Sequence, residues 1–154
     1  MTASVNIHAT CVRIGSAGVL LLGKSGAGKS DLALRLIQRG ATLVADDRTM
    51  LTVERGALVA RPPTTIAGLI EVRGMGIVPV RHAASARVAL VIDLSGKPER
   101  LPEPRSYVPP TPLTLKHRPP PYALHAFEAS APDKVVAALS LRRRGTKRSQ
   151  VKRI

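Results

Sequence analysis

Gly23-Lys24-Ser25-Gly26-Ala27-Gly28-Lys29-Ser30 is a complete Walker A pattern, G-x-x-x-x-G-K-S, and each fixed place in it has a physical reason. Glycines at 23, 26 and 28 let the backbone curl so that successive N–H groups point at phosphate oxygens, and the dipole of a following helix adds positive potential. Lys29 reaches the terminal phosphates, and the Ser30 hydroxyl can ligate magnesium. The ligand implied is a polyphosphate.

The flanks fit such a loop. Val19-Leu20-Leu21-Leu22 is a continuous apolar run, as expected of a strand buried on both faces. Residues 5 to 14 alternate roughly in the β manner, and the turn cluster Gly15-Ser16-Ala17-Gly18 joins the two into a predicted hairpin. After the loop, Leu32, Leu36 and Ile37 recur at helical spacing between Asp31 and Arg39, with Gly40 as the stop. Thr42-Leu43-Val44-Ala45 then reads as a second buried strand ending in Asp46-Asp47.

Phosphoryl transfer on such a loop needs a second acidic site on a neighbouring strand, and Asp46-Asp47 is placed for it. Adjacent strand residues face opposite ways, so the two carboxylates do different work. One is a general acid or base; the other binds metal or supports the loop. Spacing does not say which is which.

Farther on, Thr49 to Glu54 and Ala57 to Arg61 form a predicted hairpin across Arg55-Gly56, and Val88 to Leu94 reads as a core strand. Ile70 to Ile77 reads as one short strand interrupted by Gly74 and Gly76. Prolines crowd residues 109 to 121, which predicts extended loop with at most an edge strand near Leu113 to Leu115. Ser130-Ala131-Pro132-Asp133 opens a predicted helix that runs to about Arg143.

With 154 residues the chain fits one domain. Apolar residues are 44% of it but aromatics only 2%, so the core must be Val, Leu, Ile and Ala. Cys11 is the single cysteine, which excludes an internal disulfide and a thiolate metal cage. The N-terminus lacks a basic and apolar leader, and no apolar run approaches the roughly 18 residues of a membrane span. A soluble, cytoplasmic protein without a membrane partner is expected. The formal charge of +14 invites nucleic acid, yet Arg142, Arg143, Arg144, Lys147, Arg148, Lys152 and Arg153 crowd the C-terminus. Such a block reads as a disordered, solvated tail over 142 to 154, following a single P-loop domain over 1 to 141. Only Tyr107, Tyr122 and Phe127 could stack on bases, so nucleic acid is an unlikely partner.

Four stretches occur together and in order: Ile7-His8-Ala9, the Walker loop, Gln38-Arg39-Gly40 with Leu43-Val44-Ala45-Asp46-Asp47-Arg48, and Ile70-Glu71-Val72-Arg73-Gly74-Met75-Gly76-Ile77. The combination resembles HPr kinase/phosphorylase over about residues 5 to 94. The resemblance implies an α/β P-loop domain of the HPr kinase and PEP carboxykinase-like type, with a mixed β-sheet and flanking helices. It implies a homo-oligomeric serine kinase that uses ATP and Mg2+, or pyrophosphate, to phosphorylate a serine of the phosphocarrier HPr or a paralogue. Phosphorolysis would be the reverse activity.

Carried over by position, Asp46 is the catalytic acid/base and His8 sits against it. Lys29 stabilises charge on the transferring group, Ser30 and Glu71 hold magnesium, and Arg73, Gly74 and Gly76 belong to a dephosphorylation element. Arg118, in the proline segment, is a loose match to a functional arginine. Pro79 and the shortened C-terminal half depart from the family pattern. A catalytically reduced nucleotide-binding sensor or interaction module is therefore the alternative, and a nucleic-acid-associated ATPase anchored by its tail a more distant one. His82, His117 and His125 show no ligand spacing.

Overall fold

Apolar runs on either side of the glycine loop become neighbouring strands of one sheet, which fixes where the loop points. The computed structural model describes residues 3 to 143. In chain order it holds β1 (Ser4–Ile7), β2 (Ala9–Ile14), β3 (Ala17–Leu22), α1 (Lys29–Gln38), β4 (Thr42–Ala45), β5 (Thr49–Glu54), β6 (Ala57–Arg61), a 3-10 turn (Thr64–Ile66), β7 (Leu69–Val72), β8 (Gly76–Pro79), β9 (Ala86–Asp93), β10 (Pro121–Ala123) and α2 (Ala131–Arg143). The main sheet runs β1-β5-β6-β9-β3-β2-β4, with β10 added beside β9. It is mixed, since β3 and β10 lie parallel to β9 while the β2–β3 and β5–β6 pairs are antiparallel hairpins.

Alternation along the strands separates two cores. Val19, Leu21, Leu90 and Ile92 face α1 and α2, where Leu32, Leu36, Ile37, Val135 and Leu139 complete the packing. Leu20, Val44, Val91, Leu51 and Leu58 face the opposite side with Cys11. Both helices therefore cover one face. The other face closes on itself, because β1 runs into β2 at His8 and β4 into β5 at Asp46 to Arg48, which brings the two ends of the sheet together.

Three local expectations are corrected. The strand expected over 5 to 14 breaks at His8, where the chain changes partner from β5 to β3 and β4. The stretch 70 to 77 is two strands, not one: β7 and β8 form a separate hairpin whose reversal uses Gly74 at φ 91, a conformation glycine adopts without steric cost. No strand forms at Leu113 to Leu115. The pairing occurs instead at Pro121 to Ala123, where Tyr122 and Ala123 restore the N–H groups that the prolines before them lack. The basic tail expected over 142 to 154 begins in the last turn of α2 and otherwise lies outside the described residues.

Candidate active site

Strand β3 delivers the chain to Gly23 and α1 carries it away from Gly28, so the loop sits at the strand's C-terminal end. A backbone bond from Leu94 N to Leu22 O (2.7 Å) and a bond from Lys24 N to the Ser95 side-chain Oγ (3.0 Å) tie it to the end of β9. Gly28 precedes the helix at φ 99, and a Cβ there would come within 2.6 Å of the Ala126 Cβ. Glycine is thus required twice over, for conformation and for room. The Lys29 ammonium donates to Gly23 O (2.6 Å) and Lys24 O (3.3 Å), inside the loop's own ring of carbonyls, and the residue is 6% exposed.

Opposite the loop, the two aspartates separate. Asp46 is buried, and its Oδ1 accepts from Ser30 Oγ (2.6 Å) and Thr10 Oγ1 (3.2 Å) while its Oδ2 accepts from Glu71 N (2.9 Å). A buried carboxylate without such donors would cost several kcal/mol, and these bonds offset that. Asp47 lies in a tight turn closed by Arg48 N to Asp46 O (2.7 Å), at φ 67, a left-handed conformation that aspartate tolerates better than most residues. The turn aims its side chain outward at 62% exposure, where Oδ1 meets His8 Nε2 at 2.6 Å. Thr10 links the pair, since its Oγ1 also accepts from Asp47 N (3.0 Å).

The expected contact of His8 with Asp46 is therefore not formed; His8 is on Asp47. The cause is the double kink. His8 interrupts one strand where Asp46 to Arg48 interrupts the strand beside it, and the bond from Ala9 N to Asp47 O (3.0 Å) holds the interruptions together. Alternation along β4 tells that the aspartates differ, but the assignment depends on this pairing, which no local pattern encodes.

Loop, acidic turn and the β7–β8 hairpin enclose a cleft of about 360 Å³, lined among others by Lys29, Ser30, Asp47, Glu71, Arg73 and Phe127. Glu71 and Arg73 come from β7 and the turn after it, with Gly74 and Gly76 (φ 99) shaping that turn. Arg118 does not line the cleft: its neighbour His117 donates its backbone N–H to Gly56 O (3.0 Å), placing the segment beside the β5–β6 turn. Phe127 and Thr10 were not singled out as site residues by sequence. Thr10 carries no signal of its own in an alternating strand, and Phe127 lies on a turn far along the chain.

For magnesium, Ser30 and Glu71 offer hydroxyl and carboxylate oxygens, the hard donors that ion prefers, facing a cleft with room for phosphates. Among the described residues no three His, Cys, Asp or Glu side chains form a cage.

A strand, a glycine loop of Walker A sequence and a helix, faced by an acidic turn, define an α/β domain with its cleft at the loop. The chain belongs to the family described as HPr Serine kinase C-terminal domain, which matches residues 1–96. An HPr kinase/phosphorylase of Caldicellulosiruptor bescii is 44% identical over 95 residues, covering 56% of this chain and 30% of that protein. HPr kinase/phosphorylase 1 of Oceanobacillus iheyensis is 40% identical over 102 residues, covering 61% of this chain and 33% of that protein. The chain thus spans about a third of the curated relatives it matches. A solved structure described as the Hpr(Ser) kinase/phosphatase from Coxiella burnetii superposes with a TM-score of 0.75 at 27% identity, covering 93% of this chain and 99% of that one. The fold expected from the resemblance is the fold observed.

Proposed function

We propose that this domain is a serine kinase/phosphorylase acting on the phosphocarrier HPr or a paralogue with Mg-ATP, or pyrophosphate, as donor. The observation that carries it is the His8–Asp47 pair at 2.6 Å on the rim of a cleft whose floor is the Lys29 and Ser30 cradle. Asp47 takes the acid/base role first expected of Asp46, because only Asp47 is open to an incoming hydroxyl.

In the forward direction the substrate serine Oγ attacks the terminal phosphorus, the bond from that phosphorus to the bridging oxygen breaks, and the serine proton passes to Asp47. His8 orients the carboxylate. Lys29 balances charge on the transferring group, and Asp46 holds Ser30 in place. In reverse, inorganic phosphate attacks phosphoserine, Asp47 returns a proton to the leaving serine oxygen, and pyrophosphate leaves. Magnesium, held by Ser30 and Glu71, would neutralise phosphate charge. Arg73, with Gly74 and Gly76 giving its turn the required shape, stands where it can meet the phosphate in either direction. Most of the rate would come from positioning and electrostatics.

A homo-oligomer in the cytoplasm is part of this reading. Among the described residues no helix is long and apolar enough to cross a membrane. The test is transfer of label from ATP to a purified HPr serine with magnesium present, comparing wild type with Asp47→Asn and Lys29→Ala. Label is expected only with wild type. Saturable ATP binding without transfer would favour a nucleotide-binding sensor instead.

A further inference from the structure

Phe127 is the only phenylalanine of the chain and is 70% exposed, yet its backbone is fixed. Ala126 beneath it is 2% exposed and belongs to the helix-side core. The Arg35 guanidinium, on α1, donates to the carbonyls on both sides of it, Ala126 O and Glu128 O, the latter at 3.0 Å. Arg35 is itself held by Asp31 at 2.9 Å. Lys134 grips the Glu128 carboxylate at 2.7 Å, and that hydrogen bond lowers its pKa.

The ring rests on the cradle. A Cβ at Gly28 would lie 3.0 Å from Phe127 Cζ and 3.3 Å from Cε1, so the aromatic edge sits against the loop backbone while much of the ring remains open. An exposed apolar ring gains nothing by being tethered, yet here the backbone that carries it is bonded on both sides and its edge lies against the cradle glycine. Such fixing is what a stacking platform needs, because the ordering cost is met before the ligand arrives.

The direction of the ligand follows from the cleft. Ser30, Asp47 and Glu71 line the cleft together with Asp31, Leu34 and Phe127, so a nucleotide whose phosphates lie in the cradle has room to lay its other end along α1 toward the Arg35-held turn. We propose that Phe127 stacks on the base of a nucleoside triphosphate and thereby sets the preference of the cradle for nucleotides over inorganic polyphosphates. The inference rests on the phosphate-cradle reading above and names its base subsite. A stack reads a π-face and not an edge, so adenine and guanine nucleotides gain alike.

The test is calorimetric binding of Mg-ATP and of Mg-tripolyphosphate to the full chain. Phe127→Ala is expected to weaken ATP by about tenfold or more, the range of a lost base–aromatic stack, and to leave tripolyphosphate unchanged. Phe127→Trp restores ATP affinity and, in a chain with no tryptophan of its own, gives an emission that ATP changes and tripolyphosphate does not. Equal loss for both ligands would mean the ring only shapes the loop and would overturn the proposal. So would unchanged ATP affinity, or an effect confined to the KM for the phosphocarrier. Lys29→Ala separates the two levels. If wild type fails to bind tripolyphosphate, or binds it no better than Lys29→Ala, the cradle reading itself fails and the base subsite with it.

Discussion

The floor and the rim of the cleft are built on opposite principles. Under the Lys29 and Ser30 floor, Thr10, Asp46 and Thr49 join Lys29 as the buried polar residues among those described, and each is bonded to protein. On the rim, His8, Asp47, Glu71, Arg73 and Phe127 reach solvent. A buried, fully bonded carboxylate is a fixed point; an exposed one beside a histidine can exchange a proton. Two aspartates adjacent in sequence fall on either side of that line, and the strained turn at Asp47 draws it. Substitutions on the two sides should therefore fail differently, the rim in turnover and the floor in stability.

Asp47→Asn should show the largest effect. Asparagine also tolerates the left-handed backbone, so the turn survives, while the proton acceptor is gone. The expected outcome is a fall in kcat of about a thousandfold, or about 4 kcal/mol of barrier, with ATP affinity and Tm unchanged. A parallel loss of Tm would place Asp47 with the floor and erase the distinction.

Asp46→Ala should do the converse. Removing the acceptor strands Ser30 Oγ, Thr10 Oγ1 and Glu71 N, costing about 3 kcal/mol of stability. For a chain of this length that is roughly 9 °C in Tm by thermal unfolding. Thr10→Val is milder. It removes one donor to Asp46 and the acceptor of Asp47 N while keeping the shape of the strand, so about 1 kcal/mol is expected from the same melts.

Much of this was legible in the sequence and some was not, for identifiable reasons. The run Val19 to Leu22, the Walker glycines and the Arg55-Gly56 turn are local signals, and they marked β3, the cradle and the β5–β6 hairpin. His8 looked like one more residue of an alternating strand, because the break there exists only through pairing with the kink at Asp47. The Gly74 reversal was legible as glycine but not as a turn between two strands. Phe127 meets Gly28 across about a hundred residues of chain, a contact no window of sequence contains.

The smallest expected effect is read at Cys11, one residue from Thr10 on the opposite face of β2. Its side chain is fully buried in the sheet's inner core, and burial pushes the thiol up to about 12 from about 9. Thiolate is the reactive species, so alkylation near pH 8 should be negligible in the folded protein and rapid once denaturant opens the sheet. The sign of the pH effect follows. Below about pH 9 both states keep the proton and Cys11 leaves stability unchanged; between about 9 and 12 the unfolded chain releases a proton that the folded chain retains, so stability falls as pH rises. Asp47→Asn should leave the alkylation rate as it is, whereas Asp46→Ala should raise it, because loosening the floor raises the population of the open sheet. Equal labelling in all three proteins would mean that the floor's bonds do not hold β2 in place.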